Sequence, residues 1–252
     1  MTRDHSLLRG PIKAALRLLY PPQCLGCGQP VAGEAAQLCA DCWREADFIT
    51  GCACTRCGAP LPDDGTGLDE GATCDDCLAI ARPWRHGRAA LVYGGTGRRL
   101  VLALKHGDRP DLAPHLSSWL TTAAAPLIRH DMIVAPIPLH FRRLVRRRYN
   151  QAALLAEPLA RSRGLTHLPD LLLRKRNTMG QDHRGVSDRF ANVAEAIALN
   201  PRHADRVRGR AVLLIDDVMT SGATLAQAAG AALAAGSGPV SVAVLARAVK
   251  DN

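Results

Sequence analysis

All nine cysteines of this 252-residue chain fall between Cys24 and Cys77, and eight of them form a pattern that occurs twice. Cys24-Leu-Gly-Cys27-Gly-Gln-Pro is echoed by Cys54-Thr-Arg-Cys57-Gly-Ala-Pro, and Cys39-Ala-Asp-Cys42 by Cys74-Asp-Asp-Cys77. Each Cys-x-x-Cys is a knuckle of two thiolates, and two knuckles close a tetrahedral four-cysteine site that leaves a zinc ion no open position for chemistry. Glycine after the second cysteine lets the backbone turn so that its amides face the sulfurs. Each half is complete in itself, so sequential pairing predicts two structural Zn²⁺ ions. One is held by Cys24, Cys27, Cys39 and Cys42, the other by Cys54, Cys57, Cys74 and Cys77. Interleaved pairing is the geometric alternative and a disulfide framework the chemical one, the latter requiring an oxidising compartment. Cys52 is left over, a thiol beside the second ribbon.

No cysteine follows residue 77, and a boundary near Arg82-Pro83 divides the chain. The expected parts are an N-terminal amphipathic helix over 1–22, a double zinc ribbon over 23–82, and a larger α/β domain over 83–252. Within the second ribbon, residues 58–73 hold Pro60, Pro62, Gly65, Gly67 and four acids, the composition of an exposed loop. Arg9, Lys13 and Arg17 interrupt the leucines of 7–20, which breaks a signal-peptide core and favours packing against the body of the protein. No apolar run approaches the ~18–20 residues of a membrane span. A soluble, cytoplasmic protein without a membrane span is expected. A net charge of +9 suits polyanionic partners, either pyrophosphate-bearing small molecules or nucleic acid. With three Phe, three Tyr and three Trp, the core is built from Leu, Val and Ala, and base-stacking surface is scarce.

Beyond residue 82, apolar runs alternate with helical stretches. Strands are expected at 88–93, 132–136, 168–173, 194–199, 212–215 and 240–245, with 94–97 as a turn and helices from 98, over 114–124 and over 150–163. That alternation indicates a parallel twisted sheet covered on both faces. Residues 212–224 read Val-Leu-Leu-Ile-Asp-Asp-Val-Met-Thr-Ser-Gly-Ala-Thr: a buried strand, two adjacent acids, then a hydroxyl-rich turn opening a helix. Thr220, Ser221, Gly222, Ala223 and Thr224 would place unpaired backbone N–H groups around one point, which suits a phosphate dianion. Strand alternation sends Asp216 and Asp217 to different sides, where carboxylates can accept from vicinal hydroxyls or organise a hydrated Mg²⁺.

This string resembles the 5-phosphoribosyl-1-pyrophosphate (PRPP) signature of type I phosphoribosyltransferases. The resemblance implies that residues 220–224 hold the 5′-phosphate and that the acids hold the ribose hydroxyls. Three further segments resemble ComF-type proteins of that fold: Pro136-Ile-Pro138 continuing through Arg142, Arg143 and Arg147 to Asn150-Gln151; Arg174, Gln181, Arg189 and Asn192; and Leu104-Lys105-His106-Gly107. Phe141, Arg148 and Tyr149 stand where that family has Pro, Gly and Phe. Lys105, Arg142, Arg143 and Arg147 offer cations to a pyrophosphate; a solvated basic face is the alternative for the arginines, and their place just after a strand end speaks against it. The polar stretch 175–189 reads as a mobile loop over the reaction or as a surface linker. A cover over the base is expected from residues around 88–120. The resemblance implies Mg²⁺-dependent transfer at ribose C1 to an acceptor that no residue pattern specifies. Two functions stay open: a phosphoribosyltransferase-like protein acting in DNA uptake and natural transformation, or a non-catalytic protein that handles single-stranded DNA or senses PRPP.

Overall fold

A computed structural model describes residues 21–32, 37–62, 71–174 and 197–249. The expected N-terminal helix over 7–20, the acids of 63–70, and the polar stretch with Gln181, Arg189 and Asn192 lie outside the described residues.

Two short helices, α1 (Ala40–Arg44) and α2 (Asp75–Ala79), belong to the cysteine-rich part. The α/β part follows with β1 (His86–Val92), α3 (Gly95–His106), α4 (Ala113–Ala124), β2 (Ile133–Pro136), α5 (Phe141–Arg147), α6 (Gln151–Ser162) and β3 (Thr166–His167). It continues through β4 (Leu172–Arg174), β5 (Ile197–Leu199), α7 (Ala204–Val207), β6 (Val212–Met219), α8 (Ala223–Ala234) and β7 (Val240–Arg247).

Five strands form one parallel sheet in the order β1-β7-β6-β2-β3. Val212, Leu213, Leu214 and Ile215 are fully buried, pairing with β2 on one side and β7 on the other. Helices cover both faces, so β6 can be apolar without alternation. The helices α3, α4 and α6 pack on one face with Leu213, Ile215 and Leu245; α8 packs on the other with Val212, Leu214 and Val244.

The ribbons cover the β1 edge, where an open strand would otherwise offer itself to other chains. Between the ribbons, Ile49 N–H donates to Ala90 O at 3.0 Å and Val92 N–H to Asp47 O at 3.0 Å. The first ribbon (Cys24, Leu38, Cys42) joins the α3/α4/α6 layer, and the second (Cys54, Cys57, Ala59) joins the α8 layer with Trp84. The duplicated pattern thus supplies one ribbon to each face of the sheet.

Several expectations are corrected. The strand expected over 168–173 forms only at its end, from Leu172, because Pro169 has no N–H to continue a ladder. Thr166–His167 joins the main sheet, and Leu172–Arg174 pairs antiparallel with Ile197–Leu199. The turn expected at 94–97 is instead the start of α3, capped by Gly94. The β6 strand runs through the two acids to Met219. Residues 88–120 build β1, α3 and α4, and the antiparallel β4–β5 pair packs against α8.

The glycine after each first knuckle is left-handed, φ +77° at Gly28 and +72° at Gly58. Their surroundings differ. A Cβ on Gly28 meets nothing within 4 Å, whereas one on Gly58 lies 2.4 Å from Ala89 N. We expect Gly28→Ala to lower stability only by the left-handed penalty of ~1–2 kcal/mol, and Gly58→Ala to lower it further by prying the second ribbon off β1. Thermal unfolding of the two variants checks this; equal shifts would contradict the docking.

Candidate functional site

The strand order fixes where a ligand can enter. After β2 the chain crosses by α6 to β3 on one side; after β6 it crosses by α8 to β7 on the other. The crevice between the carboxyl ends of β2 and β6 is the switch point at which open α/β sheets bind ligands. Residues 137–151 and 216–224 both arrive there.

Asp216 and Asp217 occupy the carboxyl-terminal half of β6. The Asp217 carboxylate is 3.0 Å from Lys105 Nζ, with 11% and 20% of the two side chains exposed. A pair so buried stabilises little by itself, since desolvation offsets most of the attraction. Asp216 Oδ1 accepts from the Asp217 amide at 2.8 Å. Burial, and then the neighbouring Asp217 charge, push the Asp216 carboxyl up to about 7, against the pull of Lys105 and Arg174. Two acids this close are costly to ionise together. A bound cation or a set of hydroxyl donors would relieve that cost.

Cations surround the acids. Arg147 is half-buried at the end of α5; burial lowers its pKa and the Asp217 charge opposes that. Its Nη1 donates to Gln151 Oε1 at 3.3 Å. Burial likewise lowers the pKa of Arg174, reinforced by Arg143 and opposed by Asp216. Burial and then Arg147 and Lys105 lower the pKa of His106, which favours its neutral form. The structure therefore brings Lys105 and Arg147 to Asp217 and Arg174 to Asp216, with Arg143 beside the two arginines and His106 beside Lys105. Arg142 is exposed on α5.

The chain between α5 and α6 is tied down residue by residue. Arg148 adopts φ +65°, so the turn for which the family resemblance implies glycine is kept, with strain, by arginine. Tyr149 Oη donates to Leu104 O at 2.8 Å, fixing the segment beside Lys105. Asn150 caps α6 through Ala152 N–H at 3.1 Å and donates to Ile137 O at 2.9 Å.

At 220–224, Gly222 is left-handed (φ +78°) and opens the twelve-residue α8, which has no side-chain cap. The Ala223 amide reaches Ser221 Oγ only at 3.5 Å. First-turn N–H groups without intrahelical partners leave the turn ready for an anion. Two residues that hold this turn went unread in the sequence, Arg82 and Arg247. Arg247 faces Met219 only through the β6–β7 register, which no local pattern encodes.

In each cysteine set the four sulfurs lie within 4.8 Å of one another, Cys24, Cys27, Cys39 and Cys42 in one and Cys54, Cys57, Cys74 and Cys77 in the other. The Cys27–Cys39 and Cys57–Cys74 sulfurs are 3.7 and 3.6 Å apart. A tetrahedron with Zn–S of ~2.3 Å has edges of ~3.8 Å. Burial opposes the Cys24 thiolate, but the amides of Cys39, Cys27 and Gly26 outweigh it and hold its pKa at about 6. Burial pushes Cys42 up to about 12 and Cys74 up to about 11. Such groups ionise together only around a shared cation. These are two four-cysteine zinc-binding sites. Elemental analysis should find two zinc ions per chain, unchanged in Cys52→Ser and reduced to one in Cys39→Ser; two ions retained in Cys39→Ser would contradict the sets.

The double zinc ribbon domain family matches residues 15–78. The chain is 29% identical over 235 residues to the DNA utilization protein YhgH of Salmonella typhimurium, covering 91% of this chain and 99% of that protein. It is 28% identical over 196 residues to competence protein ComFC of Bacillus subtilis, 75% of each chain. Competence protein F of Haemophilus influenzae is 36% identical over 92 residues, 36% of this chain and 40% of that one. The chain is thus a double zinc ribbon joined to a parallel α/β domain, similar over most of its length to the DNA utilization protein YhgH and over three quarters of it to competence protein ComFC.

Proposed function

We propose that the crevice between β2 and β6 binds PRPP with Mg²⁺. One observation carries this reading. Two adjacent carboxylates stand at the switch point, between a turn rich in free amides and a group of lysine and arginine side chains. On this reading the amides of 220–224 hold the 5′-phosphate, and Asp216 and Asp217 hold the ribose hydroxyls. Lys105, Arg143, Arg147 and Arg174 draw charge from the pyrophosphate. Mg²⁺, when bound, would neutralise that pyrophosphate as it leaves. If an acceptor enters, the C1–O bond to pyrophosphate breaks and the acceptor forms its bond at C1. The protein then contributes fixed hydroxyls, leaving-group electrostatics and exclusion of water, without a covalent nucleophile.

We assign the ribbon domain to 23–82 and the phosphoribosyltransferase-like domain to 83–252, acting in the cytoplasm. Among the described residues, no helix is long and apolar enough to cross a membrane. A second reading, handling of single-stranded DNA, draws support from α5. There Phe141 and Val145 are 72% and 61% exposed beside Arg142 and Arg146. The names of the relatives point to DNA as well. The two readings combine if PRPP occupancy governs a DNA-handling surface.

Replacing Asp216 and Asp217 by Asn together should keep the fold and weaken PRPP–Mg²⁺ binding about tenfold or more. Asn keeps an acceptor but loses charge-assisted hydrogen bonds of ~1.5–3 kcal/mol each. Ribose 5-phosphate affinity should fall less. Calorimetric titration decides, and unchanged PRPP affinity would reduce the acids to a strand terminus.

Asp216 makes a second, opposite prediction for the ligand-free protein. Its folded pKa of about 7 lies above the ordinary 3.8. Its contribution to stability is therefore full below 3.8 and is lost as pH rises through 7. Asp216→Asn should unfold at a higher temperature than the parent at about pH 8, and the gain should vanish toward about pH 4. A pH-independent difference would contradict the buried, charge-crowded setting of this carboxylate.

A further inference from the structure

Two arginines from outside the 220–224 turn hold its backbone. Arg247 ends β7 and is 3% exposed. Its Nη1 donates to Met219 O at 3.2 Å, to Thr220 O at 2.7 Å and to Ala248 O. Its Nη2 lies 3.7 Å from Asp76 Oδ2, on α2 between Cys74 and Cys77. Arg82 closes the second ribbon. Its Nη1 donates to Ser221 O at 2.6 Å, its guanidinium lies over the Trp84 ring at 5.4 Å, and it hydrogen-bonds the Cys77 sulfur.

Three consecutive carbonyls, those of 219, 220 and 221, thus point at guanidinium groups. The described peptides are all trans, and in a trans peptide the carbonyl and the following N–H point in opposite directions. The amides of Thr220, Ser221 and Gly222 are therefore turned away from the arginines, toward the open side of the turn. Gly222 is where the layers meet: a Cβ there would lie 2.9 Å from Arg82 Nη1 and 3.1 Å from the Trp84 ring.

The first ribbon has a different set of ties. Its Glu45 carboxylate accepts from Arg99 at 2.7 Å and from Thr96 at 3.1 Å, at the start of α3 on the opposite face of the sheet. The two ribbons look alike in sequence, yet the second alone reaches the turn through Arg82 and Arg247 among the described residues.

We propose that Arg82 and Arg247 are positioning residues that aim the 220–222 amides at a bound phosphate and fasten them to the second zinc ribbon. Anion binding at the turn and metal retention by Cys54, Cys57, Cys74 and Cys77 then reinforce each other, because coupling between two sites is reciprocal. The inference rests on reading 220–224 as the 5′-phosphate site. The first zinc site stands outside the coupling.

The test uses the zinc-loaded full chain, ribose 5-phosphate as probe for the turn, and Mg²⁺-pyrophosphate as probe for the arginine side of the crevice. Zinc release to a chelator is followed with and without ribose 5-phosphate. In the parent protein, ribose 5-phosphate should slow the release of one of the two zinc ions. Arg82→Gln should still hold two zinc ions and bind pyrophosphate as before. It should bind ribose 5-phosphate about tenfold more weakly, within the usual range of coupling between sites, and lose the protection of zinc. Arg82→Lys should recover part of both effects. Arg247→Lys, which keeps the buried charge but a single donor group, should behave like Arg82→Gln. Full ribose 5-phosphate affinity and intact zinc protection in Arg82→Gln would overturn the proposal while leaving the PRPP reading standing. A parent protein that binds neither ribose 5-phosphate nor PRPP would overturn both.

Discussion

Four thiolates can share a few cubic ångströms only around a cation, and the arrangement of this protein depends on that constraint twice over. Each ribbon is too small to bury a core of its own. Its cysteines therefore serve as ligands and as part of the wall of a larger core. Cys24 and Cys42 pack into the layer that holds α4 and α6, while Cys54 and Cys57 pack into the layer that holds α8. Zinc thereby finishes the β1 edge of the sheet on both faces. The inter-ribbon segment at 47–49 hydrogen-bonds along that edge and closes it to other chains.

The crevice is organised by an opposite electrostatic problem. Asp216 and Asp217 are adjacent and poorly solvated, and Lys105 compensates one of them more fully than the other. Arg147 of α5 stands close enough to feel Asp217, Arg174 of β4 close enough to feel Asp216, and both feel Arg143. Neither set of charges is comfortable alone. A ligand with diol, phosphate and pyrophosphate groups would satisfy both sets at once. On the proposed reading, this crowding of charge is what a phosphoribosyl ligand would relieve.

Much of this was legible in the chain. The duplicated knuckles announced two four-cysteine clusters, and 212–224 announced a strand, a turn and a helix start, because both depend on short, local spacing. The lengths of strands and the breaks between them were less legible. Pro169 delays one expected strand until Leu172, and β6 continues through two acids because β7 still pairs with it as far as Met219. Arg148 shows a limit of another kind. Its left-handed φ would be read from a glycine, and arginine carries no such signal. The arginines behind the turn were invisible for a topological reason. Arg82 and Ser221 are 139 positions apart, and only the docking of the second ribbon brings them together.

Amide hydrogen exchange, measured on the zinc-loaded protein with and without PRPP and Mg²⁺, addresses the central claim most directly. Ligand should slow exchange at the amides of 220–225 and in the segment 137–151, and leave the first ribbon unchanged. Exchange at 220–225 that is indifferent to PRPP would contradict the assignment of the crevice as the phosphoribosyl site.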